Sequence, residues 1–192
     1  MSVVDWSEWV KAIESGVRGV PDDVLRRAAS VIRAAPFVLT AGNGGSSALA
    51  SHAAQALLKP DYQAGGGKSA VCLTDAVPAL TAHANDGGWA SALKEMAAPF
   101  LLFRPVLLLI SSSGNSENIL QLARNGRGHQ CYVIAMTGFA GGALRGLATM
   151  SIHVDSDDYE VIEPVHDALL HRIQYHIRRP SRQSLATLPS PK

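Results

Sequence analysis

The chain has 192 residues, 47% of them hydrophobic and 17% charged, a length and balance that fit one globular domain with a sizeable core. Seventeen basic side chains against sixteen acidic ones leave a formal net charge of +1. Without a long basic block, this excludes the electrostatic footprint of a protein built to hold nucleic acid or an anionic membrane, and favours a small neutral-to-anionic ligand held locally.

In chain order, Trp6, Trp9, Val10 and Ile13 recur at three- and four-residue spacing, which predicts a helix over 4–16 with Gly16 as its stop. Pro21, Asp22 and Asp23 open a second helix that runs to about Arg33. Such an amino-terminal pair often serves a subunit contact. Four apolar runs follow, at 36–42, 68–74, 104–114 and 130–138, with a weaker fifth at 150–155. Their hydrophobicity is continuous rather than alternating, the mark of strands buried on both faces. Helical stretches at 45–58, 75–84, 88–98, 116–125, 141–147 and 158–179 separate and follow them. Strand alternating with helix predicts an α/β fold, a three-layer α/β/α sandwich around a five-stranded parallel sheet. The reading is one domain over 35–179, with 1–34 packed on it as a helical segment and 180–192 as a disordered tail.

Cys72 and Cys131 sit inside the apolar runs AVCL and CYVIAM, so they read as buried strand residues rather than a disulfide or metal site. MSVVDWSEWV lacks the basic start and apolar core of a secretory leader. No apolar stretch reaches the roughly 18 residues of a membrane span. The expectation is a soluble cytoplasmic protein.

Two strands run into loops of one kind: AGNGGSS after the first and SSSGNSEN after the third. In a parallel sheet covered by helices, ligands sit outside the carboxyl ends of the strands. Each loop feeds a helix, so free backbone amides and the positive end of a helix dipole face outward beside serine hydroxyls. That is a phosphate cradle. It is neither a Walker A loop, since no Gly-Lys-Ser/Thr follows, nor a GxGxxG dinucleotide fingerprint. Either loop alone reads equally well as an ordinary turn and helix cap. Two at successive strand ends favour the ligand.

AGNGGSSALASHAAQ, HANDGG (83–88), ISSSGNSENIL (110–120), AMTGFAGG (135–142) and a late histidine-bearing helix, in this order, resemble the sugar isomerase (SIS) domain. Within it they resemble the phosphoheptose isomerases, which convert sedoheptulose 7-phosphate. The resemblance covers roughly residues 35–178. It implies that Ser46, Ser111, Ser112, Ser113 and Ser116 bind phosphate with Asn43 and the amides of Gly44 and Gly45. It also implies that Asn85 and Asp86 hold sugar hydroxyls, and that the chain forms a homotetramer with sites between subunits. Hydroxyls and amides suit a phosphomonoester, because several neutral donors share the dianion.

His52 and Gln55 share a helix face at i and i+3. The resemblance implies a histidine and a glutamate here, the carboxylate acting as proton-transfer base and, where zinc is bound, as ligand. An amide does neither task well. In the last helix the resemblance implies a glutamine where this chain has Glu163 and a histidine at His171. Carboxylate and amide have changed places. The expectation is therefore that Glu163 is the base, His171 the second acid/base, and His52 a ligand or orienter, with zinc held by His52, Glu163, His171 and weakly by Gln55. On the residues alone, His52 reads as a satisfied helix histidine, Glu163 before Pro164 as a helix-start residue, and His166 and His176 as packing or surface groups. The exchange also leaves a second reading, a SIS-domain protein without catalysis that binds phosphosugar or associates with a replication initiator.

Overall fold

The computed structural model describes residues 5–59 and 67–179. The expected tail at 180–192 lies outside them. The apolar runs become β1 (Val38–Ala41), β2 (Ala70–Cys72), β3 (Val106–Ile110), β4 (Tyr132–Thr137) and β5 (Met150–His153). They form one sheet in the order β2-β1-β3-β4-β5, parallel at every pairing. All five residues of β3 are buried. Val106, Leu108 and Ile110 join one core with Val38, Ile134, Met136 and Ile152. Leu107 and Leu109 join the other with Leu39, Val133 and Ala135. This alternation is the two-residue period of a strand with helices on both sides.

The first core is closed by α2 (Asp22–Ala34), α3 (Gly45–Leu58) and α8 (Tyr159–Arg178). On the opposite face lie α4 (Val77–Gly87), α5 (Trp89–Leu101), α6 (Glu117–Gly128) and the short α7 (Gly142–Leu147). The chain leaves β1 for β2 on one side and then crosses to β3 on the other. Their carboxyl ends therefore flank the switch point where open α/β sheets take ligands. No helix among the described residues is long and apolar enough to cross a membrane.

Several boundaries differ from expectation for local reasons. The first helix, α1 (Trp6–Gly19), runs straight through Gly16. A β-carbon there would stand 2.9 Å from Val165 Cγ2, so Gly16 lets α1 approach α8 closely and does not end the helix. Trp6, Val10 and Val17 stay exposed on α1. The run at 68–74 yields only the three residues of β2, because Leu73–Asp75 turn into a 3-10 helix. Cys72 and Cys131 are free and buried; Cys72 ends β2, while Cys131 falls one residue before β4 rather than within a strand, and burial pushes its thiol up to about 11, as an inert thiol requires.

One polar cluster fastens α2 to α8. Asp22 Oδ1 accepts from Arg172 Nε at 2.7 Å and His176 Nε2 at 2.9 Å, while Arg26 bonds Oδ2. The Arg172 guanidinium, with His176 and Arg26 behind it and burial opposing them, holds the Asp22 carboxyl well below the usual carboxylate range. A depressed folded-state value stabilises the fold above the unfolded value near 3.9, and that contribution fades as pH falls below it. The side chain is 34% exposed, so solvent screening leaves roughly 1 kcal/mol. Asp22→Asn is expected to lower the melting temperature at pH 7 by a few degrees, with the gap from the parent closing below about pH 4. A gap of constant size across that range, seen by circular dichroism melts, would remove the ionic account.

Candidate active site

The first loop is shaped by glycine. Gly44 has φ +53°, a conformation L side chains rarely adopt, and a β-carbon on Gly42 would collide with the backbone of Ser46. Asn43 is tied across to the second loop: its Nδ2 donates to Asn118 Oδ1 and Asn118 Nδ2 donates back to Asn43 Oδ1, both at 2.9 Å. This reciprocal amide pair holds the entries of α3 and α6 together. Beyond β3 the ladder continues, with Ser111 N donating to Met136 O at 3.0 Å and Gly138 N to Ser112 O at 2.8 Å. The third loop locks on next: Leu144 N donates to Gly114 O at 2.9 Å and Ala143 N to Asn115 Oδ1 at 3.0 Å.

Ser46, in the first turn of α3, and Ser111 and Ser112, directly after β3, are buried. Ser112 Oγ is shut off from solvent and has no hydrogen-bond partner, a costly state for a hydroxyl unless a ligand completes it. Ser113 Oγ accepts from Asn115 N at 3.2 Å. Ser116 stands at the N-cap of α6 with its hydroxyl unused as a cap. Asn85 and Asp86 lie exposed on the last turn of α4, Asn85 Nδ2 donating to Asp86 Oδ1 at 3.0 Å.

Glu163 faces this loop within the same chain. A β-carbon on Gly45 would collide with both carboxylate oxygens of Glu163, so the carboxylate fills the space that glycine leaves at the first residue of α3. The amino-terminal end of a helix favours a negative group there. Further along both helices, His52 and His171 pack edge to face with ring centroids 5.0 Å apart. Asp167 lies between Glu163 and His171 on α8, and its Oδ1 is 3.4 Å from His52 Nδ1. His52, Asp167 and His171 place one ligand atom each within 4.8 Å of one another. Asp167 escaped the sequence reading, although Glu163, Asp167 and His171 recur every four residues and so share a stripe of α8.

Gln55 is placed elsewhere. It is exposed and lines a cleft of about 480 Å³ with Ser51, Lys59, Ala70 and Asp75. Ten residues separate Gln55 from Gly45, about 15 Å of helix, so Gln55 and Glu163 do not face each other within one chain. At i+4 from His52 stands Ala56, which has no ligand atom to offer. His166 is a packing residue: Nε2 lies 3.3 Å from Thr137 O, and burial pushes its imidazole down to about 4 against that hydrogen bond.

A family model for the SIS domain matches residues 8–138. The chain belongs to the SIS domain family. A probable phosphoheptose isomerase of Thermoplasma acidophilum is 30% identical over 155 residues, covering 81% of this chain and 83% of that protein. A phosphoheptose isomerase of Helicobacter pylori is 33% identical over 134 residues, 70% of each chain. In three dimensions, the phosphoheptose isomerase from Francisella tularensis superposes with a TM-score of 0.83 at 27% identity, over 91% of this chain and 94% of that one.

Proposed function

We propose that this chain is an aldose–ketose isomerase that converts D-sedoheptulose 7-phosphate to a D-glycero-heptose 7-phosphate. The observation that carries the reading is the Glu163 carboxylate held against the serine- and glycine-lined loop of its own chain, with two imidazoles further along the same helices. The resemblance to phosphoheptose isomerases supports the substrate class. The phosphate is bound by Ser46, Ser111, Ser112, Ser113 and Ser116, with Asn43 and the Gly44 and Gly45 amides. Asn85 and Asp86 hold sugar hydroxyls. Glu163 removes the proton beside the carbonyl to give a cis-enediol and returns it to the neighbouring carbon. Without a bound ion, His171 moves protons between the two oxygens and His52 orients the site.

The donor set also fits a divalent ion. His52, Asp167 and His171 converge, and Asp167 Oδ1 is buried without a hydrogen bond. A zinc ion there would polarise the sugar oxygens. Gln55 joins a site only when a second copy of the chain brings it there, as in the proposed homotetramer, for which the exposed apolar face of α1 is the contact. The chain acts in the cytoplasm in this reading.

The exchange of carboxylate and amide keeps the alternative of phosphosugar binding without catalysis. Incubation with sedoheptulose 7-phosphate in deuterated water separates the two. The enediol route places solvent deuterium at C2 of the aldose, whereas binding of the sugar phosphate with neither turnover nor exchange would leave only the binding protein.

A further inference from the structure

We infer that Asp167 is the carboxylate ligand of a divalent-cation centre completed by His52 and His171 within a single subunit. This deepens the reading of the isomerase site and assigns a residue that the family resemblance did not point to. Three observations converge. Asp167 and His171 are four residues apart on α8, so their side chains leave one face together, and His52 meets them from α3. The three ligand atoms already lie within 4.8 Å of one another. A tetrahedral ion with bonds of about 2.0–2.2 Å needs ligand atoms roughly 3.3–3.6 Å apart, within reach of small side-chain rotations.

The third observation is what the cluster lacks. Asp167 Oδ1 is shielded from water and accepts no hydrogen bond, although His52 Nδ1 stands 3.4 Å away. A buried carboxylate oxygen with no donor is an expensive arrangement, and a cation between oxygen and imidazole removes the cost. Both side chains remain 41% exposed, which leaves an open position for a ligand from solvent, as a catalytic rather than a structural site requires. Two imidazoles and one carboxylate select a borderline transition ion over magnesium or calcium.

The assignment divides the work of α8. Glu163, held at Gly45 one turn before Asp167, stays free of the metal and available for proton transfer. Gln55, on the cleft toward β2, takes no part in binding the ion.

Cobalt(II) titration of the full-length metal-free protein tests this without reference to turnover, so a metal centre on a chain that does not isomerise remains detectable. One cobalt ion per chain, with the visible absorption of a low-coordinate site, is expected for the parent. Asp167→Asn is expected to weaken cobalt binding at least tenfold, with the metal-free circular dichroism spectrum and melting temperature preserved, and Asp167→Glu to recover part of it. Gln55→Ala and Glu163→Gln are expected to bind like the parent. Parent-like affinity in Asp167→Asn would overturn the assignment, and so would a tenfold loss in Glu163→Gln with none in Asp167→Asn. If Asp167→Asn proves unfolded, the Asp167→Glu and Glu163→Gln titrations decide: weakened binding in the first alone upholds Asp167, and in the second alone refutes it.

Discussion

Glu163→Gln is expected to lower kcat for sedoheptulose 7-phosphate by at least about 10²-fold, the low end of what a positioned general base contributes, with KM changed little. Glutamine keeps the size of the side chain and its place beside Gly45 but cannot take a carbon-bound proton. Loss confined to kcat is the signature of an interaction made in the transition state. Gln55→Ala, on the cleft lined by Ser51, Lys59 and Asp75, is expected to cost less than tenfold. The reverse ranking would show that the amide and carboxylate have not exchanged roles. Gly45→Ala approaches the same group from the other helix. Its methyl would occupy the space of the Glu163 carboxylate, and a flexible side-chain end moves aside at small cost in stability, so kcat is expected to fall about tenfold or more in a protein that melts near the parent. Steady-state kinetics beside thermal melts on the three variants read all of this. A Gly45→Ala enzyme of parental kcat would mean that the carboxylate does its work away from the loop.

The sheet was legible because its signal is local and repeated. A strand such as VLLLI, buried at every position, announces itself by composition alone, and four of them alternating with helices leave few topologies open. The phosphate loops were legible for a related reason, since glycine, asparagine and serine before a helix mark exposed amides wherever they occur. Gly16 shows the limit. Glycine reads as a helix stop in sequence, but its cause here is Val165 on a helix about 150 residues away, a tertiary contact that no local pattern carries. Gln55 and Asp167 show the same limit at the site. Spacing placed Gln55 beside His52 at i+3, but only packing decides which flank of α3 faces α8. Asp167 carries no signal of its own in the sequence, since an acidic residue on a helix face is ordinary. Its importance comes from His52 across the helix pair and from an oxygen left without a donor.

A large loss of stability from a single methyl group is expected at Gly114. Its φ of +65° already disfavours any other residue, at roughly 1–2 kcal/mol. A β-carbon there would also strike the carbonyl of Gly141, which is backbone and cannot swing away. That carbonyl immediately precedes α7, whose first-turn amides reach back to Gly114 O and Asn115 Oδ1, so relief of the clash unlocks the serine loop from the α7 entry. The combined cost of Gly114→Ala is about 3 kcal/mol or more, a fall in melting temperature of about 6–12 °C for a chain of this size. Gly146→Ala is the matched control. It lies within α7 with open space around its β position, and alanine there is expected to be neutral or mildly stabilising. Because Ser111, Ser112 and Ser113 immediately precede Gly114, Gly114→Ala is also expected to weaken phosphosugar binding more than a loss of stability alone explains, with KM rising well below the melting temperature. Equal melting temperatures for the two variants would mean that the loops are not interlocked. A destabilised Gly114→Ala with parental KM would separate the lock from the phosphate cradle and move the anchoring of the anion to the α3 entry.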